Sequence, residues 1–126
     1  MRVSYLCDCF CQGTEAIEGI FLDASDLTCE LSPTVFGKMY NLRLLKFYCS
    51  TSGNQCKLTL PHGLDTLPDE LSLLHWENYP LVYLPQKFNP VNLVELNMPY
   101  SNMEKLWEGK KVSVDIMVFK AACMNL

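Results

Sequence analysis

The groups in this 126-residue chain that could do acid–base, nucleophilic or metal chemistry are two histidines, seven cysteines and fourteen carboxylates. Cys7, Cys9 and Cys11 alternate near the start, and thiolates in a cluster can hold zinc. Tetrahedral zinc sites favour spaced cysteine pairs completed by a second pair or by histidines. No second pair and no nearby histidine completes this set, so no metal centre is expected. His62 and His75 have no nucleophile at a recognisable spacing. Asp65, Asp69, Glu70 and Glu77 are scattered and fit a solvated surface. The phosphate-cradling loop G-x-x-x-x-G-K-[ST] is absent from the sequence. The expectation is a chain with no catalytic residues and no cofactor, and not an enzyme.

Composition narrows the class further. Apolar residues make up 49% of the chain, near the globular norm, so a packed core is expected. Net charge is −4 and the only local basic run is Lys110-Lys111. That argues against a sequence-independent grip on nucleic acid, which needs clustered Lys and Arg. Seven is an odd number of cysteines, and Asp8 interrupts the only stretch that could serve as a secretory signal. These features favour free thiols in a reducing, intracellular setting, cytoplasmic or nuclear. Residues 112–126 are apolar but too few to span a bilayer, and Asp115 and Lys120 interrupt them, so no membrane partner is expected.

What must position the remaining polar groups is a repeat. The pattern L-x-x-L-x-hydrophobic occurs at Leu42-Leu45-Phe47, Leu71-Leu74-Trp76 and Leu93-Leu96-Met98, with a partial copy at Ile20-Leu22. The steps of 25, 29 and 22 residues lie in or near the leucine-rich-repeat period. The copies also agree downstream. Ser25, Ser50, Tyr79 and Ser101 fill one position, and Leu27, Leu81 and Met103 fill another. Tyr79 cannot do the backbone-satisfying work of Ser, so a different turn is expected at Tyr79-Pro80. Residues 50–55 read as an inserted loop.

The fold class that follows is an α/β leucine-rich-repeat solenoid. Short parallel strands would lie on the concave face, with irregular turns and few short helices on the convex side. Strands are expected near residues 19–23, 44–48, 73–77 and 94–98. Residues 32–40 are the best helix candidate, with Ser32 as cap and Pro33 at the first turn. Trp76 and Trp107 are expected as core or capping aromatics. The tail repeats the strand pattern at Val114-x-x-Met117-x-Phe119 and could add a further strand.

Several stretches carry a family resemblance. They include Gly13 to Ile20, Phe36 to Leu45 and Leu67-Pro68-Asp69-Glu70-Leu71. Leu74-His75-Trp76-Glu77-Asn78-Tyr79-Pro80-Leu81 with Leu84-Pro85 is the most specific, and the series closes with Leu93 to Ser101 and Leu106-Trp107. Over residues 13–111 the chain resembles the start of the leucine-rich-repeat domain of plant TIR–nucleotide-binding–leucine-rich-repeat immune receptors. Residues 1–12 and 112–126 fall outside the match, and nothing resembles the TIR or nucleotide-binding domains. The resemblance implies a truncated receptor segment working by protein contact in pathogen recognition and defence signalling. Implied partners are a pathogen effector, a guarded host protein or the receptor's own nucleotide-binding domain. The alternative reading is a secreted leucine-rich-repeat inhibitor.

If the leucines face inward, recognition falls to the residues between them. Strand alternation assigns Phe21, Asp23, Lys46, Tyr48, His75, Glu77, Asn97 and Pro99 to the concave face, in two adjacent columns.

Overall fold

A computed structural model of the chain describes residues 15–25, 28–50, 57–103 and 105–108. Six short strands follow one another: β1 (Gly19–Asp23), β2 (Thr28–Glu30), β3 (Leu44–Tyr48), β4 (Lys57–Thr59), β5 (Leu73–Trp76) and β6 (Glu95–Asn97). Four of them build one sheet in the order β1-β3-β5-β6, and every neighbouring pair is parallel. Each main strand thus lies beside its counterpart in the next repeat, as in a leucine-rich-repeat solenoid.

The alternation that suggested the strands also explains why they stack. Leu22, Leu45, Phe47, Leu74, Trp76 and Leu96 are buried, while the residues between them face out. The register sets Ile20 beside Leu45, Leu45 beside Leu74, and Leu74 beside Leu96. A single strand cannot bury such a row, but four in register can. Each fully buried leucine contributes roughly 1.5–3 kcal/mol.

The repeats are also stitched at the point where each strand begins. The Glu18 carbonyl accepts the N–H groups of both Arg43 (2.9 Å) and Leu44 (3.2 Å). The Arg43 carbonyl accepts those of Ser72 (2.8 Å) and Leu73 (3.1 Å). The Ser72 carbonyl accepts those of Val94 (2.8 Å) and Glu95 (3.0 Å). One carbonyl thus serves two donors at every step.

The core centres on Trp76. Its ring meets Phe47 edge-on at 4.7 Å, Tyr79 at 5.2 Å and Phe36 at 6.3 Å. Among the described residues no polar or charged side chain is buried. Trp107 is also buried and its indole N–H donates to the Pro85 carbonyl at 3.3 Å, tying two repeats together.

The turns after the strands divide into two kinds. After β1 and β3 the polar position holds serine, and the Ser25 and Ser50 hydroxyls lie 3.4 Å apart across the repeats. After β5 the same position holds Tyr79, which turns into the core and donates its hydroxyl to the Tyr83 carbonyl at 2.8 Å. Burial pushes its phenol well above the ordinary range. The residue before it, Asn78, has φ 62°, in the left-handed region. Tyr100, at the matching place in the next repeat, also has φ 62°.

Two expectations need correction. Among the described residues there is no helix, and residues 32–40 form a run of tight turns. Bonds run from the Val35 N–H to the Ser32 carbonyl, Gly37 to Thr34, and Met39 to Phe36, all three residues apart. Ser32 still accepts the Thr34 N–H on its hydroxyl at 3.2 Å. Helix nucleation is costly, and Gly37 in mid-segment lowers the helical propensity further. The turns still bury Val35, Phe36 and Met39. The second correction is an additional sheet: β2 and β4 pair in parallel, with Cys29 beside Leu58. The loop read at residues 50–55 lies, apart from Ser50, outside the described residues, as do residues 1–12 and 112–126.

Candidate protein-contact surface

The outward positions of β1, β3, β5 and β6 come together by register. Phe21 lies beside Lys46, Lys46 beside His75, and His75 beside Asn97, forming one row across the sheet. Asp23 lies beside Tyr48 in a second row. Glu77 and Pro99 follow β5 and β6 in that row's direction. The Glu77 N–H donates to the Phe47 carbonyl at 2.9 Å, and the Pro99 carbonyl accepts the Asn78 N–H at 3.0 Å. A third row on the same face was missed: Gly19, Leu44, Leu73 and Glu95. The same alternation, carried two residues back along each strand, would have found it.

These side chains are not equally free. Phe21 is the most open of the eight expected contact residues, at 62% exposure. The Lys46 ammonium lies 5.5 Å from the Tyr48 ring centre, within cation–π range. The Asn97 amide donates to a Glu95 carboxylate oxygen at 2.7 Å. His75 Nε2 lies 3.1 Å from Glu77 Oε2, while Glu77 Oε1 accepts the Cys49 N–H at 3.0 Å. Glu77 therefore links two repeats as well as facing out. Asp23 does similar work. Its Oδ1 accepts the N–H groups of Ser25 (3.0 Å) and Ser50 (3.2 Å). Hydrogen bonds from the Ser50 and Ser25 side chains, with help from these amides, hold its carboxyl well below the usual range.

What this face offers chemically is mixed contact: an aromatic, a cation, an imidazole and an amide in one row, with carboxylates in the next. Among the described residues no group of three His, Cys, Asp or Glu side chains is placed to hold a metal ion. Cys7, Cys9 and Cys11 lie outside them. No helix among the described residues is long and apolar enough to cross a membrane. Cys29 is a buried thiol in no disulfide, and its S–H donates to the Glu30 carbonyl at 3.7 Å. Cys49 is disulfide-bonded, to a partner outside the described residues, which corrects the expectation of free thiols throughout.

The family model described as Leucine Rich Repeat matches residues 92–111, the stretch that carries β6 and Trp107. Disease resistance protein RRS1 of Arabidopsis thaliana is 57% identical over 101 residues, which is 79% of this chain and 8% of that protein. Disease resistance-like protein DSC1 of the same plant is 45% identical over 113 residues, covering 84% of this chain and 9% of its own length. Disease resistance protein RPS4B, also from Arabidopsis thaliana, is 43% identical over 119 residues, 90% of this chain and 10% of its own. The chain thus spans no more than 10% of these relatives. No solved structure matches it. Identity this high runs through most of the repeats that build the sheet, and over this stretch the chain is a leucine-rich-repeat segment of the kind that plant disease-resistance proteins carry.

Proposed function

We propose that this segment acts by protein contact through the outward face of its four-stranded sheet, as part of an intracellular plant immune receptor, and performs no catalysis. The observation that carries the reading is the continuous row Phe21, Lys46, His75 and Asn97, one side chain from each strand. Adjacent parallel strands lie about 4.8 Å apart, so the row spans roughly 15 Å, enough for several residues of a partner. Its mixed chemistry suits a protein surface better than a polyanion. The disease-resistance relatives favour a receptor segment over a secreted inhibitor. The partner is an effector, a guarded host protein or the receptor's own nucleotide-binding domain, met in the cytoplasm or nucleus.

The test uses residues of the row that do not stitch repeats together. A variant combining Phe21→Ala, Lys46→Glu and Asn97→Ala should keep its circular dichroism spectrum and melting profile. Its binding to an RRS1 chain lacking the matched stretch should weaken at least about tenfold, a loss of ~1.4 kcal/mol. Unchanged binding by the folded variant sets this face aside as the contact.

A further inference from the structure

We propose that the outer edge of β6 is a strand-docking site and that its occupant is the chain's own segment 112–126, paired parallel to β6. Three observations meet there. The first is the stitching series: the Glu18, Arg43 and Ser72 carbonyls each take two consecutive N–H groups from the next repeat. Val94 is the next member, directly before β6, and Ser72, its counterpart, already holds the Val94 and Glu95 N–H groups. A following strand would find the same kind of acceptor waiting at the Val94 carbonyl.

The second is a change in residue type. Val91, Val94 and Tyr100 are 66%, 69% and 70% exposed. Twenty-two residues earlier, the step that sets Leu74 beside Leu96, the corresponding residues are Asp69, Ser72 and Asn78. The last described repeat thus carries apolar side chains where the preceding one carries polar ones. Exposed apolar groups at a sheet edge favour a covering segment.

The third is length and pattern in the tail. Leu84 and Leu106 occupy matching places, joined by a 2.8 Å bond from the Leu84 N–H to the Leu106 carbonyl. From Leu84 the chain regains the sheet at Leu96; from Leu106 a return of similar length, one residue shorter, reaches Met117. A step of 21 residues sets Met117 beside Leu96 and Phe119 beside Met98, and brings the Asp115 and Ile116 N–H groups to the Val94 carbonyl. The inward positions then hold a methionine and a phenylalanine, where the preceding repeats hold a leucine followed by Phe47, Trp76 or Met98, and Asp115 and Lys120 take the places of exposed Val94 and partly exposed Pro99.

The full-length chain supplies the test. Amide hydrogen exchange should show protection within residues 115–119, and methyl labelling should give cross-relaxation between Met117 and Leu96 within one molecule. Met117→Asp should lower the melting temperature by about 10 °C, with Val118→Asp, on the outward side, nearly silent. Free exchange throughout residues 115–119 overturns the proposal, whether or not Met117→Asp folds. So does a dimer whose Leu96 contacts come from a second copy, because the edge is then a self-association site.

Discussion

Asp23 shows how much a single outward residue can be asked to do. It faces the candidate contact surface, yet its carboxylate gathers donors from Ser25 and from Ser50 in the next repeat. Its folded carboxyl is held below the unfolded value. The stability it contributes is therefore fully present above the unfolded carboxylate range, near pH ~4, and is lost as pH falls toward the folded value. Wild type should be more stable than Asp23→Asn at neutral pH, and the gap should start to narrow as pH falls below about 4 and close only as pH approaches the depressed folded value. A gap of constant size in pH-dependent melting would mean that the charge is not used. Residue direction was legible because the strand period is two, which placed His75 between buried Leu74 and Trp76. The hydrogen-bond partners were not legible, since Asp23 meets Ser50 and Glu77 meets Cys49 only once the repeats are stacked. The disulfide at Cys49 was hidden for the same reason: a count of cysteines says nothing about which are neighbours.

Among the elements, the main strands stood out in the sequence and the back of each repeat did not. β1 and β3 match the expected bounds, and β5 and β6 are shorter, at Leu73–Trp76 and Glu95–Asn97. Long spacing of buried leucines fixes these strands redundantly. β2 and β4 have three residues each, too few for alternation to rise above chance. Residues 32–40 mislead because buried Val35, Phe36 and Met39 fit a helical face as well as they fit successive three-residue turns. The turn at Tyr79-Pro80 was readable as different, because a phenol cannot replace a small hydroxyl. The left-handed residues that flank these turns give a sharper test. Tyr100 has φ 62° and an exposed ring, a conformation that costs a non-glycine residue roughly 1–2 kcal/mol. Tyr100→Gly should stabilise the chain by about 0.5–1 kcal/mol in urea unfolding, after the loss of unfolded-state restriction is subtracted. Asn78→Gly should change less, because asparagine tolerates this region. Equal gains at both sites would show that the ring itself is not strained.

At the scale of the whole molecule, cohesion depends on one aromatic centre shared by successive repeats. Trp76 on β5 touches Phe47 on β3, Phe36 in the turns before it and Tyr79 after β5. Trp76→Ala should cost about 3–5 kcal/mol, a large share of the ~5–15 kcal/mol that holds a domain together. Denaturant unfolding should shift to much lower midpoints, and a small shift would show that the repeats hold independently of their centre. The stitched carbonyls lead elsewhere. Successive strands advance along the sequence by 25, 29 and 22 residues, yet each arrives at the same rung with the same pair of bonds. The front of the molecule is a ruler of fixed pitch, and the slack is taken up behind it. Lineages can lengthen or shorten the return path without moving any graduation on that ruler, so the face and the back are free to evolve at different rates.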